Sequence, residues 1–298
     1  MKVPAWLRTV SGIVLLLVVV GFFVGHARQT ACRVQQAWQP VSWLYIVLSL
    51  GMLVACLVAM AFMWYGLLRT LNGTLPALTA VRFYGLSLLP RYVPGMVWGY
   101  AGRTILCERA GVPRRVALSS IAAEVGLIVG SGAIVTTLKP LGQAWIALLA
   151  LPGVILLLGI LSLSLVHRRD WGSALRRVAT WYGWILAYVG FWLLYSLSTW
   201  LVVMSVAPEA GLSSLPDVMV STTLAWMGGF IVVFVPGGLG VREGLLSLTL
   251  TPTLGREIGI FVPLMARLIG LASEAAFFAT CTFLPGDGRG IAGAQETA

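Results

Sequence analysis

The residues of this chain best suited to chemistry are arginines and glutamates set among apolar side chains. Arg242 and Glu243 stand in the segment 234–244, FVPGGLGVREG, together with Pro236, Gly237, Gly238 and Gly240. Arg103 follows a similar proline–glycine pair, Pro94 and Gly95, while Glu124, Arg267 and Glu274 fall inside apolar runs. A guanidinium keeps its charge at any ordinary pH and presents five donors in a planar fork. The chemistry it serves is holding a phosphate or carboxylate through paired bonds. A buried glutamate either pairs with such a cation, carries a coupling ion, or sits protonated in a hydrogen bond. Arg267 and Glu274 are seven residues apart, so they share one helix face with Ser273 beside them. No DxD, HExxH or GxSxG pattern occurs, and His26 and His167 stand at the ends of apolar runs. Four scattered cysteines without a CxxC give no metal framework, so neither a cofactor nor catalysis is expected.

Charges of this kind must be positioned by elements that lie in hydrocarbon. The 298 residues are 59% hydrophobic and 10% charged, against about 25% charged in a soluble domain. That composition specifies an all-α polytopic membrane protein; a β-barrel would show short alternating segments instead. At about 20 residues per crossing, the length leaves little beyond the membrane domain, taken here as 1–284 with a flexible polar tail at 285–298. The net charge of +10 does not indicate nucleic-acid binding. The basic residues cluster in short loops, which is the positive-inside pattern with attraction to anionic lipid.

Six spans are predicted, at 10–24, 41–68, 116–138, 144–166, 181–206 and 258–284. The loops 69–115 and 167–177 are arginine-rich and are expected in the cytoplasm, whereas 207–217 carries Glu209 and Asp217 with no basic residue and is expected outside. Both termini are then cytoplasmic. Two further stretches are apolar but broken. One is 77–100, interrupted by Pro90, Pro94, Gly95 and Gly99; the other is 218–250, interrupted at PGG. Proline removes a backbone donor and paired glycines admit conformations that other residues avoid. Such a break is tolerated at membrane depth only inside protein or around a water-filled cavity. Each stretch therefore reads as a re-entrant element, although PGG also suits a plain turn between two spans.

The two broken stretches resemble one another. Each runs aromatic-Val-Pro-Gly, glycines, an arginine, and then a helix with serine and glutamate. Pro94 precedes Glu124 by 30 residues and Pro236 precedes Glu274 by 38. Three predicted spans separate the two, so re-entrant copies would enter from opposite faces, as in transporters built from inverted repeats.

The motifs YVPGMVWG, SSIAAE and above all VPGGLGVREG resemble the flippase-like integral membrane family. That family includes the transmembrane region of bacterial lysylphosphatidylglycerol synthases and stand-alone bacterial and archaeal relatives. The resemblance runs from about residue 43 to 284. It implies a multi-pass protein of the cytoplasmic membrane that moves an anionic lipid, either a phospholipid or a polyprenyl-phosphate-linked one. Aminoacylating members carry a large soluble domain that this sequence lacks, so lipid translocation is expected rather than aminoacyl transfer. The residues that match the family pattern are Pro94, Gly95, Arg103, Glu124, Pro236, Gly237, Gly238, Arg242 and Glu243; Gly240, Arg267 and Glu274 join them as substrate-binding candidates from their own spacing. Two other roles remain open: a membrane-embedded transferase acting on a lipid-linked sugar, and a non-catalytic partner of a glycan- or lipid-synthesis enzyme. A homo-oligomer is also compatible with the sequence.

The loop assignment makes a direct prediction. On a cysteine-free background, a thiol introduced by Glu209→Cys is labelled by an impermeant reagent from outside the cell. Labelling only from the cytoplasmic side would reverse the topology.

Overall fold

The computed structural model describes residues 41–93, 97–137, 171–232 and 236–284. The predicted spans 10–24 and 144–166, the residues Pro94 and Gly95, and the tail 285–298 lie outside the described residues. Eight helices occur among the described residues: α1 (Trp43–Thr70), α2 (Ala77–Leu86), α3 (Val97–Arg109), α4 (Arg114–Thr137), α5 (Trp171–Val206), α6 (Leu215–Ile231), α7 (Val241–Leu254) and α8 (Arg256–Phe283). No strand is found among them.

Length separates these helices into two classes. Trp43–Thr70, Arg114–Thr137, Ala179–Val206 and Arg256–Phe283 are long and apolar enough to cross a membrane. The others contain 10, 13, 17 and 14 residues (α2, α3, α6 and α7). At 1.5 Å per residue they reach about 15–26 Å, short of the roughly 30 Å hydrocarbon core. They form two hairpins instead, α2–α3 and α6–α7. The described part of the stretch 218–235 therefore ends its helix at Ile231, short of a crossing.

Contacts along the bundle fix its directions. The Ser42 N–H donates to the Ser205 carbonyl at 2.9 Å, and the Ser49 hydroxyl to the Ser198 carbonyl at 2.8 Å. Gly66, further along α1, faces Trp184, earlier on α5; the two helices are antiparallel. Trp64 donates to the Ser120 hydroxyl, and Trp192 to the Ile128 carbonyl, both at 3.1 Å. These bonds set α4 parallel to α5 and antiparallel to α1. The start of α8 packs with Leu53, Val202 and Val203, whereas Cys281 near its end reaches the Val81 carbonyl. So α8 runs with α1.

The hairpins follow from these directions. The α2–α3 hairpin leaves the end of α1 and returns to the start of α4, so it enters from one end of the bundle. The α6–α7 hairpin leaves the end of α5 and returns to the start of α8, so it enters from the other. Their breaks, the 3₁₀ turns at Leu89–Tyr92 and Pro236–Gly238, meet in the interior, where a Cβ on Gly237 would lie 2.6 Å from the Tyr92 ring. The repeat is thus inverted, and this geometry does not depend on segment 144–166. Arg69, Arg109, Arg114 and Arg115 gather at the first end, and Glu209 and Asp217 at the second.

Close approach between α2 and α8 depends on one missing side chain. A Cβ at Gly85 would run into Cys281 and press on Phe277. Gly85→Ala is therefore expected to destabilise the protein by about 1–3 kcal/mol through overpacking. Thermal unfolding in detergent measures this, and adding Cys281→Ala should restore part of the loss.

Candidate functional site

The break between α6 and α7 is built by backbone conformation. Gly237, Gly238 and Gly240 have φ of 60°, 67° and 80°, in the left-handed region that favours glycine. At Gly238 space adds a second demand: a Cβ would lie 2.9 Å from both the Gly229 carbonyl and Arg242 Nε. A Cβ on Gly229 would strike the Arg242 stem as well. The Arg242 side chain thus runs through a slot between two glycines, and its guanidinium lies 4.8 Å from the centre of the Trp226 ring. Its Nε is buried without a hydrogen-bond partner, and no carboxylate among the described residues pairs with it.

Glu243, the next residue on the helix, points elsewhere. Its Oε2 accepts the Gly240 N–H at 2.6 Å, which caps α7. Gly240 has no side chain with which to return the bond, so this is half of a capping box. Glu243 Oε1 lies 3.3 Å from Arg267 Nε, a distance that makes an ion pair, although the alignment leaves both atoms without a hydrogen bond. Arg267 Nη2 also donates to the Gly237 carbonyl at 3.2 Å, fastening the break to α8.

Two more ion pairs complete the charged interior. Arg103 on α3 meets Glu124 on α4 at 2.6 Å, with both side chains about 97–98% buried. Rings of Trp64, Tyr84 and Tyr100 surround that guanidinium at 4.6, 4.8 and 5.6 Å. Glu274 on α8 receives Arg91 at 2.6 Å on one oxygen and the Tyr92 hydroxyl at 2.6 Å on the other. Four arginines (Arg91, Arg103, Arg242, Arg267) thus face three glutamates (Glu124, Glu243, Glu274). Three pairs form, and of these four arginines Arg242 is the one with no carboxylate among the described residues.

These groups surround a central cavity of about 110 Å³ where the two hairpin breaks meet. Arg103, Glu124, Gly237, Arg242 and Glu274, all candidates from the sequence, line it. Glu243 and Arg267 face a smaller chamber beside it. Gly238 is buried behind Arg242, and Pro236 belongs to the break itself. Gly240 is exposed at the start of α7; it does not line the cavity and serves the cap. Sequence reasoning passed over Arg91, Tyr92, Trp226 and Gly229. Arg91 and Tyr92 directly precede the Val-Pro-Gly motif, which was the available signal, but Arg91 had been absorbed into the charge of its loop. Trp226 stands among apolar residues and reads as packing.

The arrangement can hold one anionic group: a single uncompensated guanidinium, aromatic walls, and three internally neutralised pairs. The Arg103–Glu124 pair also makes a stability prediction. Removing one partner of a buried pair typically costs about 3–5 kcal/mol, because the other charge is stranded. Glu124→Gln should therefore lower the thermal midpoint markedly, whereas replacing both residues by apolar ones of similar size should cost much less. Equal losses for single and double variants would contradict the pairing.

Comparison with known proteins agrees with this architecture. The family model for the lysylphosphatidylglycerol synthase TM region matches residues 9–275. No curated protein and no solved structure matches the chain. With nearly its whole length covered, this multi-pass membrane protein belongs to the family of the lysylphosphatidylglycerol synthase TM region, a family related to lipid modification.

Proposed function

We propose that the protein translocates an anionic lipid, a phospholipid or a polyprenyl-phosphate-linked lipid, between the leaflets of a bacterial or archaeal cytoplasmic membrane, without catalysing a covalent step. The observation that carries this reading is the unpaired Arg242 in the central cavity. Its position is costly twice over. It is a cation withdrawn from water without a counter-charge, and it stands in the first turn of α7, where the helix dipole repels positive charge. A phosphate beside it would relieve both costs, because the same turn presents free N–H groups and the guanidinium offers a paired-bond fork. The hairpins entering from opposite ends give the site a route toward each leaflet in turn. The arginine-rich end is assigned to the cytoplasm, which also places the end of α8 there. A lipid- or glycan-synthesis enzyme in the same membrane is the partner this role implies.

The test is translocation of a labelled anionic lipid in proteoliposomes. Losing bonds to a charged group costs about 1.5–3 kcal/mol, so Arg242→Ala should slow translocation by about one to two orders of magnitude. Arg242→Lys should recover only part, because an ammonium lacks the planar fork. Expression and monodispersity should stay normal for both. Wild-type transport by well-folded Arg242→Ala protein would remove Arg242 from the mechanism.

A further inference from the structure

The smaller chamber beside the central cavity measures about 50 Å³ and is bounded by Thr199, Thr222, Ala225, Arg242, Glu243 and Arg267, among others. Tyr195, Trp226 and Arg242 line both spaces, so Arg242 stands at their junction. Thr199 is closer than Tyr195 to the end of α5, and Thr222 closer than Trp226 to the start of α6. The chamber therefore extends from the junction toward the end of the bundle where the α6–α7 hairpin enters.

Two donor atoms of the chamber's residues are buried with neither a hydrogen bond nor an ion pair among the described residues, Thr222 Oγ1 and Arg242 Nε; Arg267 Nε and Glu243 Oε1 also lack a hydrogen bond but face each other as an ion pair. Thr222 stands out among the helical threonines. Thr104, Thr223, Thr249 and Thr251 turn their hydroxyls back onto carbonyls three or four residues earlier. The Thr222 hydroxyl does not, although the residue is only 4% exposed. A buried hydroxyl without a partner costs about 1–3 kcal/mol, so a chamber that leaves one orphaned is suited to a ligand that accepts. The fixed charges agree: two guanidiniums, Arg242 and Arg267, face the single carboxylate of Glu243. In a cavity of this measure about 10–15 Å³ holds one water, so 50 Å³ admits a group of a few heavy atoms, such as a phosphate, and no sugar.

The geometry points to a second anion station in this chamber, where a phosphate monoanion is held by the Thr222 hydroxyl and the Arg242 guanidinium, beside the Arg267–Glu243 pair. This rests on the reading of Arg242 as the anchor of the headgroup, and it gives that reading a second position. The two spaces together contain four arginines and three glutamates. One spare charge serves both, so a single phosphate occupies them alternately, passing Arg242 between them. The phosphate is the phosphodiester of a lipid headgroup or a free inorganic ion.

Charge-selective thiol labelling tests the station without requiring transport. In a chain whose four native cysteines are replaced, Thr222→Cys is treated with a sulfonate-bearing and a trimethylammonium-bearing methanethiosulfonate of similar size. The sulfonate reagent should react at least about tenfold faster, since opposite charge raises association by about 10–10³, and millimolar inorganic phosphate should slow it. Equal rates, a faster cationic reagent, or no modification by either would overturn the station. Protection by phosphatidylglycerol in nanodiscs identifies a lipid headgroup as the ligand; protection by inorganic phosphate alone identifies the free ion and overturns the link to transport. A second variant, Ala225→Leu, narrows the chamber. It should still bind phosphatidylglycerol but move it at least about tenfold more slowly, a barrier increase of about 1.4 kcal/mol. Unchanged translocation by a folded Ala225→Leu protein would remove the chamber from the route. Should the unmodified protein fail to move lipid at all while labelling stays charge-selective, translocation falls and the anion station stands.

Discussion

A charge inside a membrane protein needs a counter-charge, and the interior of this one is organised by an unequal supply. At low dielectric each unpaired ion loses several kcal/mol of solvation (roughly), which a partner must offset. Arg103 has Glu124, Arg91 has Glu274 and Arg267 has Glu243. Each pair also joins separate elements: α3 to α4, the first break to α8, and α7 to α8. Apolar packing is a weak driving force for helix association in lipid, so these pairs fix where the broken segments sit. Among the described residues that line the two cavities, Arg242 is what remains once these three pairs have formed.

Helix α8 is where the two hairpins are tied together. Arg267 binds the Gly237 carbonyl and Glu243, both of the α6–α7 hairpin. Two turns later, Glu274 takes Arg91 and the Tyr92 hydroxyl, both of the α2–α3 hairpin. One face of one helix therefore sets the distance between two breaks that arrive from opposite ends of the bundle. The Tyr92 ring fills the join, with Gly237 against its edge and the Arg267 guanidinium 5.7 Å from its centre. A side chain at position 237 would separate them. The glycine is thus needed for the contact as well as for its φ.

Much of the fold was legible because hydrophobic length and glycine–proline breaks are local signals. The span predicted at 41–68 forms at Trp43–Thr70, and that at 258–284 forms at Arg256–Phe283. The Pro236–Gly238 break was visible because proline and glycine act on their own backbone. The pairings were not legible. Nothing local distinguishes Arg91, which crosses to a glutamate 183 residues later, from Arg114, which is itself largely solvent-exposed and pairs with Glu108 close by in sequence. Gly229 was missed for the same reason: it lies in regular helix, and its importance comes from the Arg242 stem crossing it. Face sharing by Arg267 and Glu274 was predictable from their spacing, but the partner of each depended on which hairpin reached it.

The imbalance also explains why two similar motifs leave one of their arginines paired and the other unpaired. In the first repeat the arginine that follows the break, Arg103, is matched by the glutamate of the next helix, Glu124. The corresponding arginine of the second repeat, Arg242, finds its glutamate taken, because Glu274 is already bound by Arg91. The position before the aromatic-Val-Pro-Gly motif is Arg91 in the first repeat and Val233 in the second. No reciprocal arginine therefore reaches back to release Glu124 from Arg103. The arginine at position 91, where the second motif has Val233, thus takes the carboxylate of the second repeat and leaves one guanidinium unpaired. The inverted architecture supplies two approaches to the middle of the membrane, and this broken symmetry decides which side of that middle retains the charge.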